Sequence, residues 1–117
     1  MAQVTNGDWG FRIVVPFLEN GAPVDVSGAD TMKIIIGPTI GTGTVYDAQP
    51  VEGHTDQIEY VVEAGVIAAT LDATRPRARQ RWFYQGHVAL ADTYDLRSDL
   101  GEFDVTHRLD PPAAPEE

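Results

Sequence analysis

The chain has no cysteine and a single lysine among its 117 residues. Without cysteine, neither a disulfide framework nor a thiolate metal site is possible. No apolar run approaches the ~20 residues that a membrane-spanning helix needs. The first eight residues, Met1–Asp8, hold no basic segment followed by an apolar one, so no secretion signal is expected and synthesis in a cytoplasm is. Cationic residues are scarce as a class. Eight Lys and Arg stand against eighteen Asp and Glu, for a formal net charge of −10 and a pI near 4.5. That balance disfavours phosphate backbones and anionic membranes, so neither nucleic acid nor membrane is an expected partner. It suits solubility or a cationic partner surface.

Signatures of chemistry are equally sparse. The three histidines, His54, His87 and His107, are far apart, and none forms the short-spaced pair typical of zinc sites. Asp92, Asp95 and Asp99 gather in one segment with oxygen ligands that calcium accepts, yet the spacing lacks the glycine and terminal glutamate of an EF-hand. Aspartate and serine are also ordinary turn formers. Gly37-Pro38-Thr39-Ile40-Gly41-Thr42-Gly43 has the glycines of a phosphate loop without its lysine or its helix, and reads as a loop between strands. No Gly-x-Ser-x-Gly elbow or Ser/His/Asp set is present. The expectation is a protein without enzymatic activity, with no catalytic residues, no metal and no cofactor.

What is present is alternation with a period of two. In Arg81-Trp82-Phe83-Tyr84-Gln85-Gly86-His87-Val88-Ala89-Leu90 the even positions form one face, with Trp82, Tyr84, Val88 and Leu90 pointing inward. Ile58, Tyr60 and Val62 alternate with Gln57 and Glu59, and Phe103 and Val105 repeat the pattern. Met32, Ile34 and Ile36 share a face, as do Phe11, Ile13, Val15 and Phe17. Pro16 cannot donate to a ladder, which places its strand at an edge or on a bulge. Asn20-Gly21 is a hairpin signal. These runs predict about seven strands, at 11–18, 23–26, 31–37, 44–50, 57–62, 80–91 and 101–107, in the spacing of a sandwich or barrel. Residues 64–71 read either as one or two helical turns or as a poorly patterned strand. The expected organisation is an N-terminal arm over 1–9, one all-β domain over 10–108 and a Pro-rich acidic tail over 109–117.

One charge anomaly stands out. Arg75, Arg77, Arg79 and Arg81 supply half of the basic residues within seven positions. In an extended segment they share a parity and form one cationic ridge, suited to docking an acidic partner surface such as a neighbouring copy. The plainer reading is a solvated loop that neutralises nearby carboxylates. Trp9, in Gly7-Asp8-Trp9-Gly10, is a second candidate contact. Buried against a neighbour it would favour assembly, and exposed in a concave loop it would favour ligand binding.

Two stretches carry a resemblance. The first is Glu19-Asn20-Gly21-Ala22-Pro23-Val24-Asp25-Val26-Ser27-Gly28-Ala29, followed by Met32-Lys33-Ile34-Ile35-Ile36-Gly37-Pro38. The second is Arg81-Trp82-Phe83-Tyr84-Gln85-Gly86-His87-Val88, leading into Arg97-Ser98-Asp99-Leu100-Gly101-Glu102-Phe103-Asp104-Val105. Together, over about 10–107, they resemble the immunoglobulin-like N-terminal domain of phage baseplate upper proteins and related tail or neck fibre adaptors. The insertion around Ala73–Arg77 has no counterpart in that pattern. The resemblance implies an immunoglobulin-like β-sandwich of about seven antiparallel strands. It also implies a structural role in a tailed bacteriophage virion, joining fibres or other components to the tail, neck or baseplate. Other virion proteins, including copies of the chain itself as a homo-oligomer, are the implied partners. Capsid decoration, or carbohydrate or surface binding, are the alternatives weighed.

Overall fold

The structure, a computed structural model, describes residues 2–108, and the expected tail at 109–117 lies outside them. Among the described residues there is no helix, and the regular structure is eleven strands. Their order follows from alternation: each long strand buries one parity and leaves the other to solvent or to a sheet edge.

The central strand is β9 (Arg79–Leu90), paired antiparallel along most of its length with β5 (Thr31–Gly37) on one side. Its even residues Trp82, Gly86 and Val88 are buried, while Tyr84 and Leu90 are half-buried. On β5, Ile34 and Ile36 face the same core. Beyond β5 lies β6 (Thr44–Asp47). On its other side β9 is paired by two strands in succession, β10 (Tyr94–Arg97) and β11 (Gly101–Thr106). Between those two, residues 98–100 oppose only 85 and 86, so the chain bulges by one residue. Last in this sheet is β1 (Ala2–Thr5), running parallel to β11 with Val4 opposite Val105.

A second sheet of three strands has β8 (His54–Val61) in its centre, between β2 (Arg12–Pro16) and β7 (Gln49–Val51). Pro16 therefore lies on an edge strand, as its missing N–H requires. The two sheets face each other in a sandwich-like arrangement. Ile13, Val15, Ile58 and Tyr60 meet Ile34, Ile36, Trp82, Val88, Phe103 and Val105 in one continuous core. Tyr46 of β6 stacks on Tyr60 of β8 with ring centroids 4.9 Å apart, tying one sheet to the other.

Several expectations are corrected here. The predicted strand 44–50 is two strands, because at Ala48 the chain crosses from the large sheet to the small one; the Ala48 amide still bonds the Met32 carbonyl at 2.9 Å. The run 11–18 ends at Pro16, and β3 (Leu18–Glu19) then pairs with β4 (Ala22–Pro23) in a separate hairpin. The hairpin itself was legible: Asn20 at φ 53° and Gly21 at φ 82° adopt the left-handed pair of a type I′ turn. Val24 and Val26 pack against the core from a loop rather than from a strand over 23–26. Neither alternative for 64–71 is realised. The segment is a turn at Gly65 (φ 89°) followed by irregular chain that plugs the core with Ile67. Residues 2–5, inside the expected arm, form β1, and the loop expected around Asp92–Asp99 contains β10. With eleven short strands and one parallel pairing, the count and the uniform antiparallel order both differ from expectation.

At the bulge, buried Ser98 holds three elements together. Its hydroxyl accepts the Gly86 amide at 2.8 Å and donates to the Asp99 carbonyl at 2.9 Å, and its own amide bonds the Gly86 carbonyl at 3.0 Å. Ser98→Ala is expected to leave the buried Gly86 amide without its acceptor. The cost is about 1–3 kcal/mol of unfolding free energy, measurable by urea denaturation.

Candidate interaction surface

The arginine segment does not form one ridge. Asp72 organises its start: Oδ1 accepts the Thr74 amide at 2.9 Å and the Thr74 hydroxyl at 2.7 Å, which holds the Asp72 carboxyl below its usual pKa range. Two turns follow, with Arg75 N bonding Asp72 O at 3.0 Å and Ala78 N bonding Arg75 O at 2.9 Å. Pro76 suits such turns because its φ is preset. A turn breaks the period of two, so only Arg79 and Arg81 share a strand face.

Those two are spent on a carboxylate. Asp104 of β11 is 5% exposed, and the Arg79 and Arg81 guanidinium groups reach its two oxygens at 3.6 and 3.5 Å. Arg81 also approaches Glu102 at 3.4 Å. A buried carboxylate requires such compensation. Arg75 and Arg77 are exposed and make no ion pair among the described residues. Of the four, then, two neutralise local carboxylates and two are left facing solvent.

Trp9 is 51% exposed. Its loop is pinned by the Gly7 amide on the Ile67 carbonyl (3.1 Å) and the Gly10 amide on the Val62 carbonyl (2.7 Å). A groove bordered by Asp8 and Phe11 runs beside it, but Trp9 does not line that groove. The same end carries Arg75 and Arg77, through the bond from His107 Nε2 to the Asp72 carbonyl at 2.9 Å.

The structure adds a surface that the sequence reading missed. On the outer face of the large sheet a groove of about 510 Å³ runs between the β5–β6 hairpin and the β10–β11 bulge. Ile35 and Phe83 form its floor, and Ile40, Val45 and Leu100, each more than half exposed, stand around it. Gly43 permits the hairpin to lie close: a Cβ there would sit 2.5 Å from the Ile35 side chain. At the rim, Asp95 accepts from Arg97 at 2.5 Å and contacts His87 Nε2 at 2.8 Å. Those two partners, Arg97 first, hold the Asp95 carboxyl below its usual range. The available signals were Phe83 and Val45, apolar residues on the outward parity of their strands. Alternation alone treats each as an isolated exception.

Asp92, in a left-handed turn at φ 61°, and Asp95 are not drawn onto a common point with Asp99; among the described residues no three His, Asp or Glu side chains converge as metal ligands do. No helix among the described residues is long and apolar enough to cross a membrane. No protein-family model matches the chain, and no curated protein matches it.

Proposed function

We propose that this chain is an immunoglobulin-like module that works by binding other proteins, as an adaptor within a tailed-phage virion. The strand order supports the fold part of this reading. The large sheet β1-β11-β9-β5-β6 and the small sheet β2-β8-β7 are arranged as the A′GFCC′ and BED sheets of immunoglobulin-like domains are, with the N-terminal strand parallel to the last one. The doubled last strand and the long segment between β8 and β9 are this chain's own elaborations. Buried Trp82 lies on the strand in the F position of that order rather than the C position, and the chain has no cysteine to make a disulfide for it to cover.

The single observation that carries the binding role is the apolar groove. Three aliphatic side chains more than half exposed around one concavity are costly to leave in water, and contiguous apolar surface of this kind marks protein contact. The phage context rests on the sequence resemblance alone. A test is to purify phage particles on a density gradient and label them with antibody raised against the chain. Gold particles confined to the tail, neck or baseplate are the expected result. Val45→Lys with Leu100→Lys, both at exposed positions, should remove the chain from the particles while leaving its melting temperature within a few degrees of wild type. Recovery of the wild-type chain only outside the particles would overturn the virion reading.

A further inference from the structure

The molecule's arginines and its ion-pair-free carboxylates are unevenly placed along β9, whose 12 residues span roughly 36 Å. At the Leu90 end, segments 17–30, 52–56 and 89–93 meet. Phe17 N bonds Asp56 O, Val26 N bonds Thr55 O and Asp30 N bonds Ala89 O, each at 2.8 Å. These segments carry Glu19, Asp25, Asp30, Glu52, Asp56 and Asp92 and no lysine or arginine. None of the six makes an ion pair among the described residues. At the Arg79 end, segments 6–10, 62–78 and 106–108 meet. There Asp8 is occupied by Arg108 at 3.2 Å and Asp104 by Arg79 and Arg81. Arg75 and Arg77 make no ion pair among the described residues, and neither do Glu63 and Asp72 of the same end, so this end is near neutral where the other is acidic. Each end also holds an apolar side chain more than half exposed, Trp9 at the arginine end and Leu18 next to Glu19 at the acidic end.

We propose that a second copy of the chain docks head to tail, with the Arg75, Arg77 and Trp9 end of one copy against the Leu18, Glu19 and Glu52 end of the next. The proposal rests on the reading of the chain as an assembly module and names one partner for it. Guanidinium groups pair with carboxylates in a fixed fork, which gives such a contact its orientation. The two surfaces differ, so the contact is heterologous: it leaves a free end on each side and builds a ring or an open stack. A competing occupant of the arginines is the chain's own segment after Arg108, which contains Asp110, Glu116 and Glu117.

Sedimentation velocity of the full chain tests this. Association is expected at about 20 mM salt, and it should weaken at least tenfold at about 500 mM salt. The side chains of Glu19 and Glu52 make no hydrogen bond among the described residues, so reversing their charge should leave the fold intact. Arg75→Glu with Arg77→Glu, and separately Glu19→Lys with Glu52→Lys, should each give a monomer that melts like wild type. An equimolar mixture of the two variants should associate again, since the intact Arg75, Arg77 end of one meets the intact Glu19, Glu52 end of the other. A wild-type chain that stays monomeric at low salt overturns the proposal, as does continued self-association of either variant. Association that appears only after residues 109–117 are removed assigns the arginines to the chain's own tail and also overturns it. Incorporation of the monomeric Arg75→Glu, Arg77→Glu variant into particles would reject this contact while leaving the proposed function standing.

Discussion

Trp82→Ala is expected to lower the unfolding free energy by about 3–5 kcal/mol, a large share of the roughly 5–15 kcal/mol that holds a domain folded. Trp82 is 6% exposed at the middle of the large sheet, opposite Phe103 in register and with ring centroids 6.4 Å apart. Its indole N–H donates to the Gln80 side chain at 2.9 Å, so burial leaves no polar atom unpaired. No neighbour can collapse into the space, because β11 and β5 are held by ladders on both sides of β9. Urea denaturation followed by circular dichroism measures the change. Fluorescence provides a control: with Trp82 gone, emission comes from half-exposed Trp9 alone and should shift to the red in the folded state. A loss below about 1 kcal/mol would mean that the indole does not close the core.

Gly86 is the second position with a large expected effect, and its reason is space. A Cβ at Gly86 would stand 2.9 Å from the Phe17 ring and 2.9 Å from the Val15 side chain, both buried, Val15 on β2 of the opposite sheet and Phe17 just beyond that strand's end. The two sheets approach closely over this one residue. Gly86→Ala is expected to cost about 1–3 kcal/mol through overpacking, and Gly86→Val more. Phe17→Leu removes the ring atoms that the new methyl meets. The Gly86→Ala, Phe17→Leu pair should therefore be more stable than the sum of the single changes predicts, by about 0.5–3 kcal/mol in a double-mutant cycle. Strict additivity would show that the sheets do not pack against each other at Gly86.

Alternation was enough to find β5, β8, β9 and β11 nearly to their ends and to assign Ile34, Ile36, Ile58, Trp82, Val88, Phe103 and Val105 to the core. A strand with one buried face must repeat its apolar residues every second position, and that pattern is local. The Asn20-Gly21 turn is local too, since both residues tolerate the positive φ that the turn imposes. Pro16 announced an edge for the same kind of reason. Pairing is not local. Nothing in Gln3-Val4-Thr5 reveals that it will lie parallel to β11, just over a hundred residues away, and nothing at Ala48 reveals that one extended run will serve two sheets. The arginine segment shows the limit from the other side: its parity was read correctly, but parity orders side chains only while the chain stays extended, and Asp72 and Pro76 turn it.

For the candidate surface the division is similar. The sequence by itself established an acidic all-β chain with one unusual cluster of arginines and an isolated tryptophan, because composition and spacing do not depend on how strands pair. Only the tertiary structure decided that Asp104 takes up two of those arginines, that Ile40, Val45 and Leu100 surround one groove, and that six carboxylates with no ion pair among the described residues collect at the end opposite Arg75 and Arg77. Each of these is a meeting of residues distant in the chain, brought about when burial of the two apolar faces sets the order of the strands.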